Sequence, residues 1–237
     1  MQVKLVSATQ IDSDYLSYLM SQSSNNDPNY ETFLKNIQTP EGLTAYIARV
    51  SSNDQQNHNY EKLLNHCMKN GHCSVFEMID VTFEIITTRA ISSQLLRHKS
   101  LQFSEFSQRY QSAHMGYELF PARKQDTKNR QNSTDDMDDN TKSWWESTQN
   151  MLNRKAFQYY EMALEKNIAK EIARAILPMS TQTKIYAKGT LRSWIHYLSV
   201  RGDVSTQKEH RDIAVAIKDI LIDKYPSIAK ACEWSKS

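Results

Sequence analysis

Residues 78–88 read MIDVTFEIITT, with a strict two-residue period. Ile79, Val81, Phe83 and Ile85 fall on one face, and Asp80, Thr82 and Glu84 on the other. Such alternation specifies a strand with one buried face. At Arg89 the period changes. RAISSQLLRHK regains helical spacing through Ile91, Leu95 and Leu96, so a strand runs straight into a short helix. The end of that helix opens the densest group of donors in the chain.

That group is RHKSLQFSEFSQRY, residues 97–110. It holds Arg97, His98, Lys99, Arg109, three serines and Glu105, with Phe103, Phe106 and Tyr110 between them. A solvated charged face has no need of the aromatics, and a core has no place for the cations. Arginine offers a planar fork suited to phosphate, and hydroxyls or backbone N–H groups fill the remaining acceptor sites. Arg97, Ser107 and Arg109 therefore read either as the wall of an anion site or as a polar helix end with surface salt bridges. His98 reads as a structural histidine or a base.

The other elements are equally local. Residues 3–9, VKLVSAT, alternate as a strand. TPEGLTAYIARVSS reads as a helix with Thr39 as its cap and Pro40 in its first turn, facing inward through Leu43, Tyr46, Ile47 and Val50. NYEKLLNHCMKNGH is a helix ended by Gly71. RKQDTKNRQNSTDDMDDNTKS is polar throughout and reads as a loop, mobile in part. Residues 143–177 form a long amphipathic helix in this reading, with Leu152, Phe157, Tyr160, Ala163, Leu164, Ile168, Ile172 and Ile176 toward the core, stopped by Pro178. TKIYAKGT is a strand. LRSWIHYLSVR is a helix with Leu191, Ile195 and Leu198 inside, and QKEHRDIAVAIKDILIDKY another with Ile213, Ala216, Ile217 and Ile220 inside. With no internal repeat and no clear linker, residues 1–237 are expected to form one α+β domain.

Composition removes several classes of function. Charged residues are 24% of the chain and the net charge is +2, which gives no case for duplex nucleic acid as a partner and weighs against a single-stranded one. No apolar run approaches the ~20 residues of a membrane span, and the N-terminus has no secretory pattern. Cys67, Cys73 and Cys232 are odd in number and never spaced CxxC, so a reducing cytoplasm is expected. His66, Cys67, His72 and Cys73 match no standard zinc spacing, and no metal is expected. GxGxxG, GxxxxGK[ST] and GxSxG are all absent, so any nucleotide is held by side chains rather than a glycine-rich turn. Arg174, among apolar Ile172, Ala173 and Ile176, either snorkels to solvent or enters a pocket. Arg192, His196 and Arg201 serve either a site or the negative end of a helix dipole.

Arg-His-Lys, seven residues, Ser107, then Arg109 and Tyr110 together resemble the RHR(X7)S signature of the flavin-dependent thymidylate synthases, the ThyX family. NGHCSVFEMIDVTFEI is similar to that family's upstream turn and strand, and RKQDTKNRQNS to its active-site loop. EIARAILP and LRSWIHYLSVRGD resemble its long helix and C-terminal site. The resemblance implies an α+β fold with a central antiparallel or mixed sheet, flanking helices and one long helix. It also implies a homotetramer with shared active sites around FAD. The implied reaction is reductive methylation of dUMP to dTMP, with methylenetetrahydrofolate as carbon donor and NADPH as reductant of the flavin. A catalytically impaired nucleotide-binding protein on the same scaffold is the other reading.

Matched position by position, the resemblance assigns Gln94, Arg97, Glu105, Phe106, Ser107, Gln108, Arg109, Arg174 and Arg201 to dUMP, with Arg174 and Arg201 as the catalytic pair. It assigns His72, Ser74, Glu77, Arg97, His98, Lys99, Ser104, Thr190, Arg192 and His196 to FAD. The chain departs from the family pattern at Lys99, usually Arg, and at Ser104, Thr190, His196 and Ser205, commonly Asn, Asn, Asn and His. The substrate arginines are intact. No cysteine has the basic setting of an activated thiol, in keeping with a route that needs no enzyme thiol.

Overall fold

A computed structural model describes residues 1–22 and 28–236. In chain order the elements are β1 (Gln2–Ala8), α1 (Ser13–Ser21), α2 (Tyr30–Ile37), α3 (Pro40–Ala48), α4 (Tyr60–Lys69), a 3-10 turn (Cys73–Met78), β2 (Asp80–Thr88), α5 (Arg89–Leu95), β3 (Gln102–Glu105), β4 (Lys124–Gln125), β5 (Ser133–Thr134), α6 (Asp139–Glu165), α7 (Lys170–Ala173), a second 3-10 turn (Arg174–Ile176), β6 (Gln182–Thr190), α8 (Leu191–Arg201), α9 (Lys208–Lys224) and α10 (Pro226–Ala231). The main sheet has the order β1-β2-β6-β3, and β4 pairs antiparallel with β5. The fold is mixed α+β with an antiparallel sheet, as expected. The chain divides into two compact units. One comprises Met1–Lys4, Glu84–Ala187 and Val200–Ile213, and the other Leu5–Phe83, Lys188–Ser199 and Ala214–Ser237.

In the second unit, Ile79, Val81 and Phe83 are fully buried, as their alternation requires. Phe83 meets Trp194 edge-on at 5.0 Å, and Trp194 meets Tyr197 in the same way at 5.5 Å. The indole N–H, which would be costly to bury unpaired, donates to the Val81 carbonyl at 3.0 Å. Thr39 caps α3 by accepting from Gly42 N at 3.0 Å. Gly42 itself is required by crowding: a Cβ there would stand 2.1 Å from the Asn36 carbonyl oxygen. Helix α3 ends at Ala48, so Val50, expected inside, lies past the helix and is 75% exposed. Gly71, with φ +71°, ends α4 and turns the chain into His72.

In the first unit, Ile85, Ile91, Leu95, Ile185 and Ile213 are buried, and Ala113, Tyr160 and Ala173 form a cluster of their own. The long helix is shorter than its periodicity suggests. Asp138 starts it early, accepting from Thr141 N at 2.9 Å, and Asn167, with φ +59°, ends it. The left-handed conformation is one that asparagine tolerates and a helix does not. The chain then folds back as α7 and the second 3-10 turn, against α6. Of the expected inward stripe, Tyr160 is buried and Phe157, Ala163 and Leu164 are half-buried. Leu152, Ile168, Ile172 and Ile176 are exposed, Ile172 by 62%. The polar stretch read as a loop contains the β4–β5 hairpin. Its turn is organised by Asp126, which accepts from Lys128 N at 2.7 Å and Asn129 N at 3.2 Å. Those backbone bonds hold its carboxyl below the usual range.

Candidate active site

The first unit contains all the residues assigned to dUMP. Helix α5 ends at Leu95, and Arg97, His98 and Lys99 follow on a turn, with His98 half-buried and the other two exposed. Strand β3 carries Ser104 outward and Glu105 inward. Glu105 Oε1 pairs with Arg89 at 2.7 Å and accepts from Ser92 Oγ at 2.5 Å and Thr183 Oγ1 at 3.1 Å. Three donors on one oxygen make Glu105 a fixed strut beneath the loop. Phe106 N then donates to the Lys184 carbonyl at 2.8 Å, and the Ser107 carbonyl accepts from Tyr110 N and Gln111 N, closing a tight turn.

That turn leaves the Ser107 and Arg109 side chains exposed and buries Gln108. Gln108 is only 6% exposed, and its Nε2 has no hydrogen-bond partner among the described residues. A buried donor without an acceptor is costly, and a bound acceptor removes the cost. Two contacts tie the loop to the chain beyond Asn167, and a third holds Arg174 within that stretch. Arg109 Nη2 pairs with Glu171 at 3.2 Å, Lys170 Nζ donates to the Tyr110 carbonyl at 3.1 Å, and Arg174 Nε donates to the Glu171 carbonyl at 3.4 Å. Glu171, which the sequence leaves unassigned, thus takes Arg109 on its carboxylate and Arg174 on its carbonyl. Arg201, at the end of α8, donates through Nε to His98 Nε2 at 2.7 Å. Gln94 Nε2 donates to Gln207 Oε1 at 2.7 Å, and Gln94 Oε1 lies 3.2 Å from His210 Nδ1.

The second unit holds His72, Ser74, Glu77, Thr190, Arg192 and His196. His72 follows Gly71, with its ring centroid 6.0 Å from that of His66. Arg192 forms an ion pair with Glu77, both largely exposed. Arg192 and His196 are one turn apart on α8, so they share a face. Thr190 accepts from Ser193 N at 3.2 Å, which gives it a capping role at the start of that helix. His72, Ser74, Glu77, Arg192 and His196 are all exposed. A guanidinium, a hydroxyl and imidazoles on an open surface fit the diphosphate and ribose hydroxyls of a dinucleotide such as FAD. Among the described residues no group of three or more His, Cys, Asp or Glu is placed to hold a metal. Burial raises the Cys67 thiol pKa and pushes that of Cys232 up to about 12, so neither is activated. No helix of the described residues is long and apolar enough to cross a membrane.

The geometry defines an α+β protein whose turn after the third strand carries an exposed arginine beside a buried amide without a partner. The family model described as thymidylate synthase complementing protein matches residues 32–227. A flavin-dependent thymidylate synthase of Synechocystis sp. is 57% identical over 196 residues, 83% of this chain and 91% of the relative. A probable flavin-dependent thymidylate synthase of Paramecium bursaria Chlorella virus 1 is 47% identical over 203 residues, 85% of this chain and 94% of the relative. The chain belongs to the thymidylate synthase complementing protein family. Its fold is also that of the UMP/dUMP methylase PolB from Streptomyces cacaoi, solved with 5-Br dUMP. That structure has a TM-score of 0.74 and 22% identity, covering 97% of this chain and 93% of the other.

Proposed function

We propose that the protein is a flavin-dependent thymidylate synthase that reductively methylates dUMP to dTMP. The placing of Arg109 on the Glu171 carboxylate and Arg174 on its carbonyl, beside the buried and unpaired Gln108 amide, carries this reading. In it, Ser107, Gln108 and Arg109 take the dUMP phosphate, a dianion that exchanges places with Glu171 as the partner of Arg109. Gln94, Arg97, Glu105 and Phe106 line the nucleoside. Arg174 and Arg201 stabilise negative charge developing on the uracil ring, an interaction that gains strength where water is excluded.

FAD, when bound through His72, Ser74, Glu77, Arg97, His98, Lys99, Ser104, Thr190, Arg192 and His196, supplies the hydride after reduction by NADPH, and methylenetetrahydrofolate supplies the carbon. The protein's own residues bind, orient and exclude water. Residues 1–237 act as one catalytic domain, in the cytoplasm, within a homotetramer. The exposed Leu152, Ile172 and Ile176 are apolar side chains that an assembly would bury.

The test is an absorbance spectrum of the purified protein, followed by NADPH bleaching with and without dUMP and by product analysis. A yellow protein that forms dTMP is expected. A colourless protein unable to take up FAD overturns the reading.

A further inference from the structure

Gln94 sits at the end of a directed hydrogen-bond chain. Arg123 grips Glu209 with both terminal nitrogens, at 2.7 and 2.9 Å. Burial opposes ionisation of Glu209, but the Arg123 contact, its own backbone N–H and Gln207 outweigh it, so its pKa falls below the ordinary value. An ionised carboxylate only accepts. Gln207 must therefore turn its NH2 toward Glu209, where Nε2 lies 2.9 Å from Oε2. Its carbonyl oxygen then faces Gln94 and receives the Gln94 NH2 at 2.7 Å. The Gln94 oxygen is thereby directed at His210 Nδ1, 3.2 Å away, and that nitrogen must carry the proton.

His210 is suited to this duty. It is fully buried. Burial foremost, then the charges of Arg201 and His98, lower its pKa to about 3, so it stays neutral at working pH. By shape alone a glutamine amide fits either way round, and hydrogen bonding decides between the two. A flipped Gln94 would set oxygen against the Gln207 oxygen and lose that bond, whereas the neutral His210 ring could shift its proton and still pair; the Glu209–Gln207 side therefore sets the direction, and His210 Nδ1–H answers it.

We propose that His210 is a positioning residue for the substrate site: with the Arg123–Glu209 pair setting the direction through Gln207, His210 Nδ1–H holds the Gln94 oxygen and so fixes where Gln94 presents its amide to dUMP. The inference rests on the reading of Gln94 as a dUMP contact. In this role His210 acts through Gln94 rather than on the substrate, with its ring edge-on to that of His98 at 6.0 Å.

The test uses the flavin-loaded enzyme and steady-state kinetics with dUMP. His210→Leu keeps comparable bulk and removes the donor, and His210→Asn places an amide nitrogen near the lost Nδ1. His210→Leu should raise KM for dUMP about threefold to tenfold, the range of one hydrogen bond. Its kcat should stay within about twofold of wild type and its flavin content unchanged. His210→Asn should bring KM back to within about twofold of wild type. An unchanged KM in His210→Leu, or equal losses in both variants, overturns the proposal. Should His210→Leu not fold, Glu209→Gln decides. Glu209→Gln keeps the shape and removes the acceptor-only anchor, so KM should again rise, and an unchanged KM overturns the proposal. Gln94→Ala separates the two levels. Wild-type enzyme without dUMP-dependent turnover refutes the proposed function itself. A KM that rises in Gln94→Ala but in neither His210→Leu nor Glu209→Gln refutes only the role of His210.

Discussion

Arg201 donates through Nε to Nε2 of His98 across 2.7 Å, bridging 103 positions of sequence. The bond leaves His98 Nε2 as an acceptor, so the proton of a neutral His98 ring sits on Nδ1. It also commits one edge of the Arg201 guanidinium and leaves the terminal nitrogens for a ligand. An arginine assigned to substrate is thereby held by the histidine of the Arg-His-Lys signature.

Arg201→Ala should therefore lower dTMP formation about a hundredfold or more, the scale for losing a donor aimed at developing charge. Flavin absorbance should persist, since the assigned flavin contacts remain. Arg201→Lys should be intermediate: it keeps the charge but loses the planar fork and the bond to His98. Wild-type turnover in the alanine variant would refute the role of Arg201.

Lys99 is exposed, so arginine can replace it without repacking. Lys99→Arg should bind FAD equally or more tightly, because the fork restores bidentate contact. Flavin titration checks this, and clearly weaker binding would mean that the site has adapted to lysine.

Gly42→Ala should cost about 3 kcal/mol or more, at the upper end for forced overpacking. The contact at 2.1 Å is with backbone, which has no rotamer to yield. Denaturant unfolding measures the loss, and an unchanged midpoint would contradict it.

Glu41 is buried, and Ile228 N donates to its carboxyl at 2.8 Å. Burial raises its pKa above the ordinary value despite that bond. A carboxyl raised in the folded state contributes stability at low pH that is lost as pH rises through the folded value. Glu41→Gln keeps an acceptor and removes the buried charge. It should melt higher than wild type at pH 8, with the gap narrowing as pH falls toward the ordinary carboxyl range. A gap that widens in acid would reverse the assignment.

The strands β2 and β6, the Thr39 cap and helix α8 were all legible because their signals are local. Period, cap and terminator lie within a few residues of one another. The Arg97–Arg109 turn was legible for the same reason, together with its family signature. His210 was harder to see. It lies three residues before Ile213 and seven before Ile217, on the buried side of α9, and a histidine on an apolar stripe was the available sign. Its partner Gln94 is 116 residues away, a separation that no periodicity spans. Glu171 stands inside EIARAILP, but its pairing with Arg109 depends on the chain reversing after α6. That reversal was missed because hydrophobic spacing continues across it.

Asn167 turns that reversal into a matter of catalysis. Had the helix continued straight from Glu165, Arg174 would stand about 13 Å further along its axis, at ~1.5 Å per residue. The left-handed residue brings Lys170 and Glu171 back to the Ser107 turn instead, with Arg174 bonded to the Glu171 carbonyl. A lesion at position 167 would thus present to an enzymologist as a defect in phosphate recognition, although its side chain need never meet the nucleotide.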